Sequence, residues 1–205
     1  MEVSNLTIYP TFWGQIAVAP ISDGELLERG ATEEELQSVE GISSQSRRAE
    51  RLAWRLLLRS ILPTAQVEYL SSGKPEIKNS QYHHISVSHC QDFVAVAIAT
   101  KPCGIDVERY DRNFERVKSR YMTDEEQSLS VDEHWSAVVW CAKEAMYKMA
   151  GREGVDFKRD MQIISAGQPV GFVCGRWHLV AHLLGERVEL QGIPIDDDHI
   201  LVFTL

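Results

Sequence analysis

Residues 93–100 read FVAVAIAT, eight uncharged residues of which only Thr100 is polar. A run of this length, alternating valine or isoleucine with alanine, predicts a strand, and its apolar character on both sides predicts burial on both faces. Such a strand needs a packed layer above and below it, so the rest of the chain has to supply helices and further strands around a central sheet. Val67–Leu70 and His84–Ser88 read as companion strands, the turn SSGKP lying between them.

The helices announce themselves by period and by caps. Thr32 with Glu35 has capping-box spacing and opens a short helix closed by Gly41. Over residues 46–62, Ala49, Leu52, Ala53, Leu56 and Leu57 recur at helical spacing while Arg48, Arg51, Arg55 and Arg59 form a basic outer side, until Pro63 stops the element. After the break KPCG at 101–104 the order repeats. A short strand GIDVE and a charged stretch lead to a second capping box, Thr123 to Glu126, and a long helix over 133–150 that ends at Gly151. Hairpin-like segments follow near 161–165, 170–174, 177–184, 187–191 and 199–204. The reading is an α+β fold of two similar halves, an N-terminal half at 1–102 and a C-terminal half at 103–205, each a long helix packed on a small antiparallel sheet. With 205 residues and 44% hydrophobic content, the chain can bury a core in both.

Charge narrows the partners. Thirty acidic residues against 21 basic ones give a net charge of -9, which disfavours a surface that attracts nucleic acid. No apolar run approaches the roughly 18 residues of a membrane span, and the opening MEVSNLTIYP lacks a basic, apolar leader pattern, so the expected location is the cytoplasm. Cys90, Cys103, Cys141 and Cys174 show no CxxC spacing and are expected to be reduced thiols.

Three segments carry candidate chemistry. Asp106 and Glu108, two apart on a strand, project from one face with Cα atoms roughly 7 Å apart. They suit a hard cation such as Mg²⁺, which takes one or two carboxylates and completes its shell with water and phosphate oxygens. The competing reading is the wet side of a strand. In WCAKEAMYK, Glu144 and Lys148 are one helical turn apart and share a face with Trp140 and Cys141, whereas Lys143 lies off that face and reads as an ordinary helical charge. In HHISVSHC, Ser86, Ser88 and Cys90 lie on one side and His89 at the strand exit. Because adjacent strand residues point to opposite faces, Ser88 and His89 are poorly placed as a nucleophile pair. His83 and His84 read as solvent-side residues, and Lys74 of GKP as an exposed turn residue.

Taken together, GKP at 73–75, SVSHC at 86–90, GIDVE at 104–108 and WCAKEAMYK at 140–148 resemble, in order and spacing, the signatures of 4′-phosphopantetheinyl transferases of the larger, surfactin-synthetase-activator type. The chain departs from that pattern at Ser86, where asparagine is frequent, at Cys90, where serine is, and at Ser136, where an aromatic often sits. The resemblance implies a pseudo-twofold monomer with CoA in the cleft between its halves. It assigns Mg²⁺ to Asp106, Glu108 and Glu144, the CoA diphosphate to Lys148, the 3′-phosphate to Ser88 and His89, the adenine wall to Lys74 and Pro75, and a further phosphate contact to Arg47 or Arg48. It implies transfer of 4′-phosphopantetheine from CoA to a serine of an apo acyl or peptidyl carrier protein, releasing adenosine 3′,5′-bisphosphate, with Glu144 as base and Lys148 stabilising charge. The alternatives are a non-catalytic CoA- or carrier-binding module of this fold, or another Mg²⁺-dependent phosphoryl enzyme. An acidic carrier would need local positive charge, which 109–120 offers in Arg109, Arg112, Arg116, Lys118 and Arg120, with Phe114, Val117, Tyr121 and Met122 as apolar anchors.

Overall fold

A computed structural model of the chain describes residues 5–21, 24–70, 73–167 and 177–204, which form two antiparallel sheets, each backed by one long helix. The first part contains β1 (Thr7–Pro10), β2 (Gly14–Pro20), α1 (Gly24–Gly30), α2 (Glu33–Gln37), α3 (Gln45–Ile61), β3 (Val67–Tyr69), β4 (Pro75–Ile77), β5 (His84–His89) and β6 (Phe93–Ala99). The second contains β7 (Ile105–Arg109), α4 (Phe114–Val117), α5 (Asp124–Gln127), α6 (Trp135–Ala150), β8 (Met161–Gly167), β9 (Trp177–Leu183), β10 (Glu186–Pro194) and β11 (His199–Thr204). The sheets run β1-β2-β6-β5-β4-β3 and β7-β11-β10-β9-β8. Leaving β1 aside, both follow one path: strand, capped short helix, long helix, then four strands laid back so that the last pairs with the first.

Side-chain alternation explains the layering. Along β6, Val94, Val96 and Ile98 pack with Leu52, Leu56 and Leu57 of α3, while Ala95, Ala97 and Ala99 turn to the other sheet. There they meet Ile105, Val107, Leu201 and Phe203, and the small alanine side chains let the sheets approach closely. α6 covers the far face of the second sheet through Val138, Ala142, Ala145 and Met146 against Leu179, Leu190, Ile200 and Val202. The run FVAVAIAT is thus buried on both faces, as its composition demands. A polar cluster also joins the sheets: Asp92, between β5 and β6, accepts from Arg109 Nη1 at 2.7 Å and lies 3.0 Å from His199 Nε2.

Both capping boxes form, with Thr32 and Thr123 accepting from the amides of Glu35 and Glu126. Gly151 caps α6 with φ 62°, in the left-handed region that glycine enters without strain. Other readings need correcting. Arg55 is not on a basic outer side: it is buried, 5.0 Å from the Trp54 ring and 4.0 Å from Glu34, because α1 and α2 cover that flank of α3. Strands β1, β2 and β4 and helix α1 add to the elements expected from local pattern. The segment at 170–174 and Cys174 lie outside the described residues. Cys90, Cys103 and Cys141 are free thiols. Among the described residues, no helix is long and apolar enough to cross a membrane.

Candidate functional site

Strand β7 sends Ile105 and Val107 into the core between the sheets and Asp106 and Glu108 toward α6. These carboxylates are 5% and 8% exposed, so they are not the wet side of a strand. β7 is also an edge, paired only with β11. Its outer amides find side-chain acceptors instead: Ile105 N–H donates to Ser86 Oγ at 3.1 Å and Val107 N–H to Ser88 Oγ at 3.3 Å. Two residues of β5, spaced to share a face, thereby replace a neighbouring strand.

Ser88 donates in turn to Asp106 Oδ1 at 2.7 Å, and Lys148 Nζ donates to the same oxygen at 2.7 Å and to the Ile105 carbonyl at 3.0 Å. Asp106 Oδ2 is buried with no hydrogen-bond partner. A charged oxygen left in that condition is costly, and it marks where a ligand would be welcome. Glu108 forms a close ion pair with Arg112. Glu144 is held above the usual carboxylate range by burial and by the negative charge of Asp106, against the pull of Lys148 and Arg112. Beneath them, burial and the adjacent Asp106 keep the Cys141 thiol well above its ordinary value. Three carboxylates thus face two cations. Among the described residues, no three His, Cys, Asp or Glu side chains converge as a ready-made metal cluster.

Beside this group opens a cavity of about 350 Å³ lined by Lys74 and Pro75 from the first part of the chain and by Tyr147, Lys148, Gly151 and Arg152 from the second. Lys148 belongs to both places, its ammonium on Asp106 and its side chain on the cavity wall. Asp106, Glu108 and Glu144 are not part of that wall. Lys74 is half-buried rather than an exposed turn residue, since its Nζ reaches across to the Lys148 carbonyl at 2.9 Å. Gly151 permits this: a Cβ there would stand 2.9 Å from Lys74 Nζ. Burial lowers the Lys74 ammonium from its ordinary value.

The remaining predicted residues divide. His89 leaves β5 on the side opposite Ser88, is partly exposed, and lies 3.5 Å from Glu50 on α3. Arg47 is exposed in the first turn of α3. Arg48 is engaged elsewhere, donating to the Val39 carbonyl at 3.0 Å and to Glu28 at 2.8 Å. Arg112 was placed by sequence in a carrier-binding stretch and sits instead on Glu108. Tyr147 and Arg152 carried no sequence assignment; Arg152 lies past the Gly151 cap, where helical spacing no longer places a side chain.

The stretch 109–120 is less available for docking than its composition suggests. Arg109 is clamped by Asp111 and Asp92, and Lys118 pairs with Glu115 at 2.6 Å. The expected apolar anchors Phe114, Tyr121 and Met122 are core residues at 4%, 1% and 2% exposure, and Val117 is half-buried, because this segment closes over α6. Arg116 and Arg120 remain exposed.

Lys143 departs furthest from its expected role. It is wholly buried, donating to Glu126 Oε2 at 2.7 Å and to the Phe157 carbonyl at 2.8 Å. Glu126 completes its own capping box with the same oxygen and accepts from Ile163 N–H through Oε1 at 2.8 Å, so one carboxylate joins α5, α6 and β8.

Residues 102–195 match the model of a family described as the 4′-phosphopantetheinyl transferase superfamily. That range, a little under half of the chain, contains Asp106, Glu108, Glu144 and Lys148, while Lys74, Ser88 and His89 precede it. No curated protein matches the chain.

Proposed function

We propose that this chain transfers 4′-phosphopantetheine from CoA to a serine hydroxyl of an apo carrier protein, leaving adenosine 3′,5′-bisphosphate. The observation that carries the reading is Lys148, which joins a buried acidic group to a cavity walled by residues from both sides of position 102. We read 1–102 and 103–205 as two pseudo-twofold halves, supported by their common strand order, with CoA between them.

In this reading Lys148 faces the CoA diphosphate, Lys74 and Pro75 lie along the adenine, and His89 with Arg47 meets the 3′-phosphate. Asp106, through its unpartnered Oδ2, and Glu144 would hold Mg²⁺, with Glu108 joining them on release from Arg112. This donor set suits a cation that prefers oxygen ligands and keeps water and phosphate in its shell. When bound, Mg²⁺ supplies neutralisation of charge on the diphosphate. The carrier serine Oγ forms a bond to the β-phosphorus of CoA, and the bond from that phosphorus to the bridging oxygen breaks. The electron pair leaves with adenosine 3′,5′-bisphosphate, and the serine proton passes to Glu144, directly or through water. A carboxylate raised by burial is matched to that task, and Lys148 stabilises charge as it develops.

The test is mass spectrometry of an apo carrier incubated with the protein, CoA and Mg²⁺, where transfer adds about 340 Da to one serine. Asp106→Ala should reduce the rate by roughly 100-fold or more, since it removes the buried carboxylate that Ser88 and Lys148 orient. Absence of that mass gain overturns the reading; undiminished transfer in excess chelator, or by Asp106→Ala, overturns the roles given to the cation and to Asp106.

A further inference from the structure

The Ser88 hydroxyl cannot readily serve a phosphate, because both of its roles are filled. It accepts from Val107 N–H and donates to Asp106 Oδ1, and it is 5% exposed. With Lys148 on the same oxygen, Asp106 is held by two strong donors on Oδ1, while Oδ2 has none, the weakly donating Cys141 thiol lying against the carboxylate. We infer that Ser88 is a positioning residue: it fixes the Asp106 carboxylate so that Oδ2 is presented to a divalent cation. The inference rests on the proposed role of Asp106 as a ligand. Groups that hold a metal ligand in place typically change metal affinity by about 10- to 100-fold when removed.

The neighbouring serine supplies the control. Ser86 accepts from Ile105 N–H as Ser88 does from Val107 N–H, one strand pleat away, and it has no bond to Asp106. Truncating either serine leaves one β7 amide without its acceptor, so that loss is common to both variants. Only the loss at Ser88 reaches the carboxylate. A purely structural role for both serines would move both variants together; a positioning role separates them.

The experiment is a Mn²⁺ titration, followed by the electron paramagnetic resonance of free Mn²⁺ with CoA saturating, on wild type, Ser88→Ala and Ser86→Ala, with thermal melts alongside. Both variants should fold, with Ser88→Ala melting somewhat lower because it also loses the bond to Asp106. Ser88→Ala should bind Mn²⁺ at least about 10-fold more weakly than wild type and Ser86→Ala within about twofold of it. In transfer assays, the Mg²⁺ concentration for half-maximal rate should rise in Ser88→Ala, and excess Mg²⁺ should restore much of the rate. Equal affinity losses in the two variants, or unchanged affinity in Ser88→Ala, overturn the inference while leaving the cation site intact. Wild type that binds no Mn²⁺ overturns the site itself and the inference with it. If Ser88→Ala does not fold, Ser88→Cys, which keeps a side chain there but replaces a strong donor with a weak one, is held to the same thresholds.

Discussion

Strands β2 to β6 and β7 to β11 are threaded alike, and the two sheets differ most at their first strands. On β2 the helix-facing positions are Ala17 and Ala19; on β7 they are Asp106 and Glu108. The outer edge of β2 is covered by β1, whereas that of β7 is met by side chains, the hydroxyls of Ser86 and Ser88 and the ammonium of Lys148. One strand order therefore carries an apolar centre in one sheet and a charged one in the other. The fold does not require the carboxylates, and the sheet that holds them is the one whose first strand is flanked by side chains rather than by another strand. Charge under α6 is tolerable because Lys148, Ser88 and Arg112 reach it; nothing comparable faces Ala17 beneath α3, where the neighbours are leucines.

The same contrast recurs where each capping box meets its long helix. Glu126 and Lys143 are 2% and 0% exposed, while Glu35 lies 3.4 Å from Arg59, whose side chain keeps 33% exposure. Lys143→Met should therefore cost about 3–5 kcal/mol by stranding a buried carboxylate. Arg59→Met should cost less, about 1 kcal/mol, because Arg59 is itself a third exposed and the buried Glu35 keeps the Thr32 N–H as a donor. Denaturant unfolding of the two variants measures the difference, and equal losses would break the comparison.

Glu144→Gln sharpens it at the site. Transfer should fall by roughly 100-fold through loss of the base, while CoA binding by calorimetry persists. Stability should move the other way. Burial raises the folded-state pKa of Glu144, so the ionised side chain weakens folding at neutral pH, and that penalty fades as pH drops through the raised value toward that of an unfolded carboxylate. In chelator, the Gln variant should melt above the parent near neutral pH, and the two should converge near about pH 4. A lower melting temperature for Gln at neutral pH would contradict the role of burial.

The smallest effect concerns the surface of the second half. With Arg109, Arg112 and Lys118 paired internally, Arg116 and Arg120 are the exposed cations of that stretch. Arg116→Glu with Arg120→Glu should raise the KM for an acidic carrier by roughly two- to fivefold at low salt with little change in kcat. The effect should shrink at physiological ionic strength, where screening acts beyond about 8 Å. An unchanged KM at low salt moves the docking surface elsewhere.

What could be read from sequence was short-range. Helix α6, its left-handed cap at Gly151 and both capping boxes depend on contacts between residues three or four apart, and side-chain chemistry specifies them. The double burial of β6 followed from composition alone. Strand β2 was not legible because its identity comes from β6: Gly14 is required there by a backbone so close that a Cβ would fall 1.9 Å from the Ile98 carbonyl. Lys143 was misplaced because a helix period separates one face from another but does not say which faces α5 and β8 will cover. The same limit applies to Phe114 and Tyr121, whose burial depends on the segment closing over α6. The residue types of the site were visible, and their grouping was not: Ser88, Lys148 and Lys74 reach their partners across 18, 42 and 74 residues of chain. Sequence fixes which groups can ionise, donate or cap, because these are properties of a residue and its near neighbours. Only the packing of two sheets decides which carboxylate is buried, which cation answers it and which oxygen is left free.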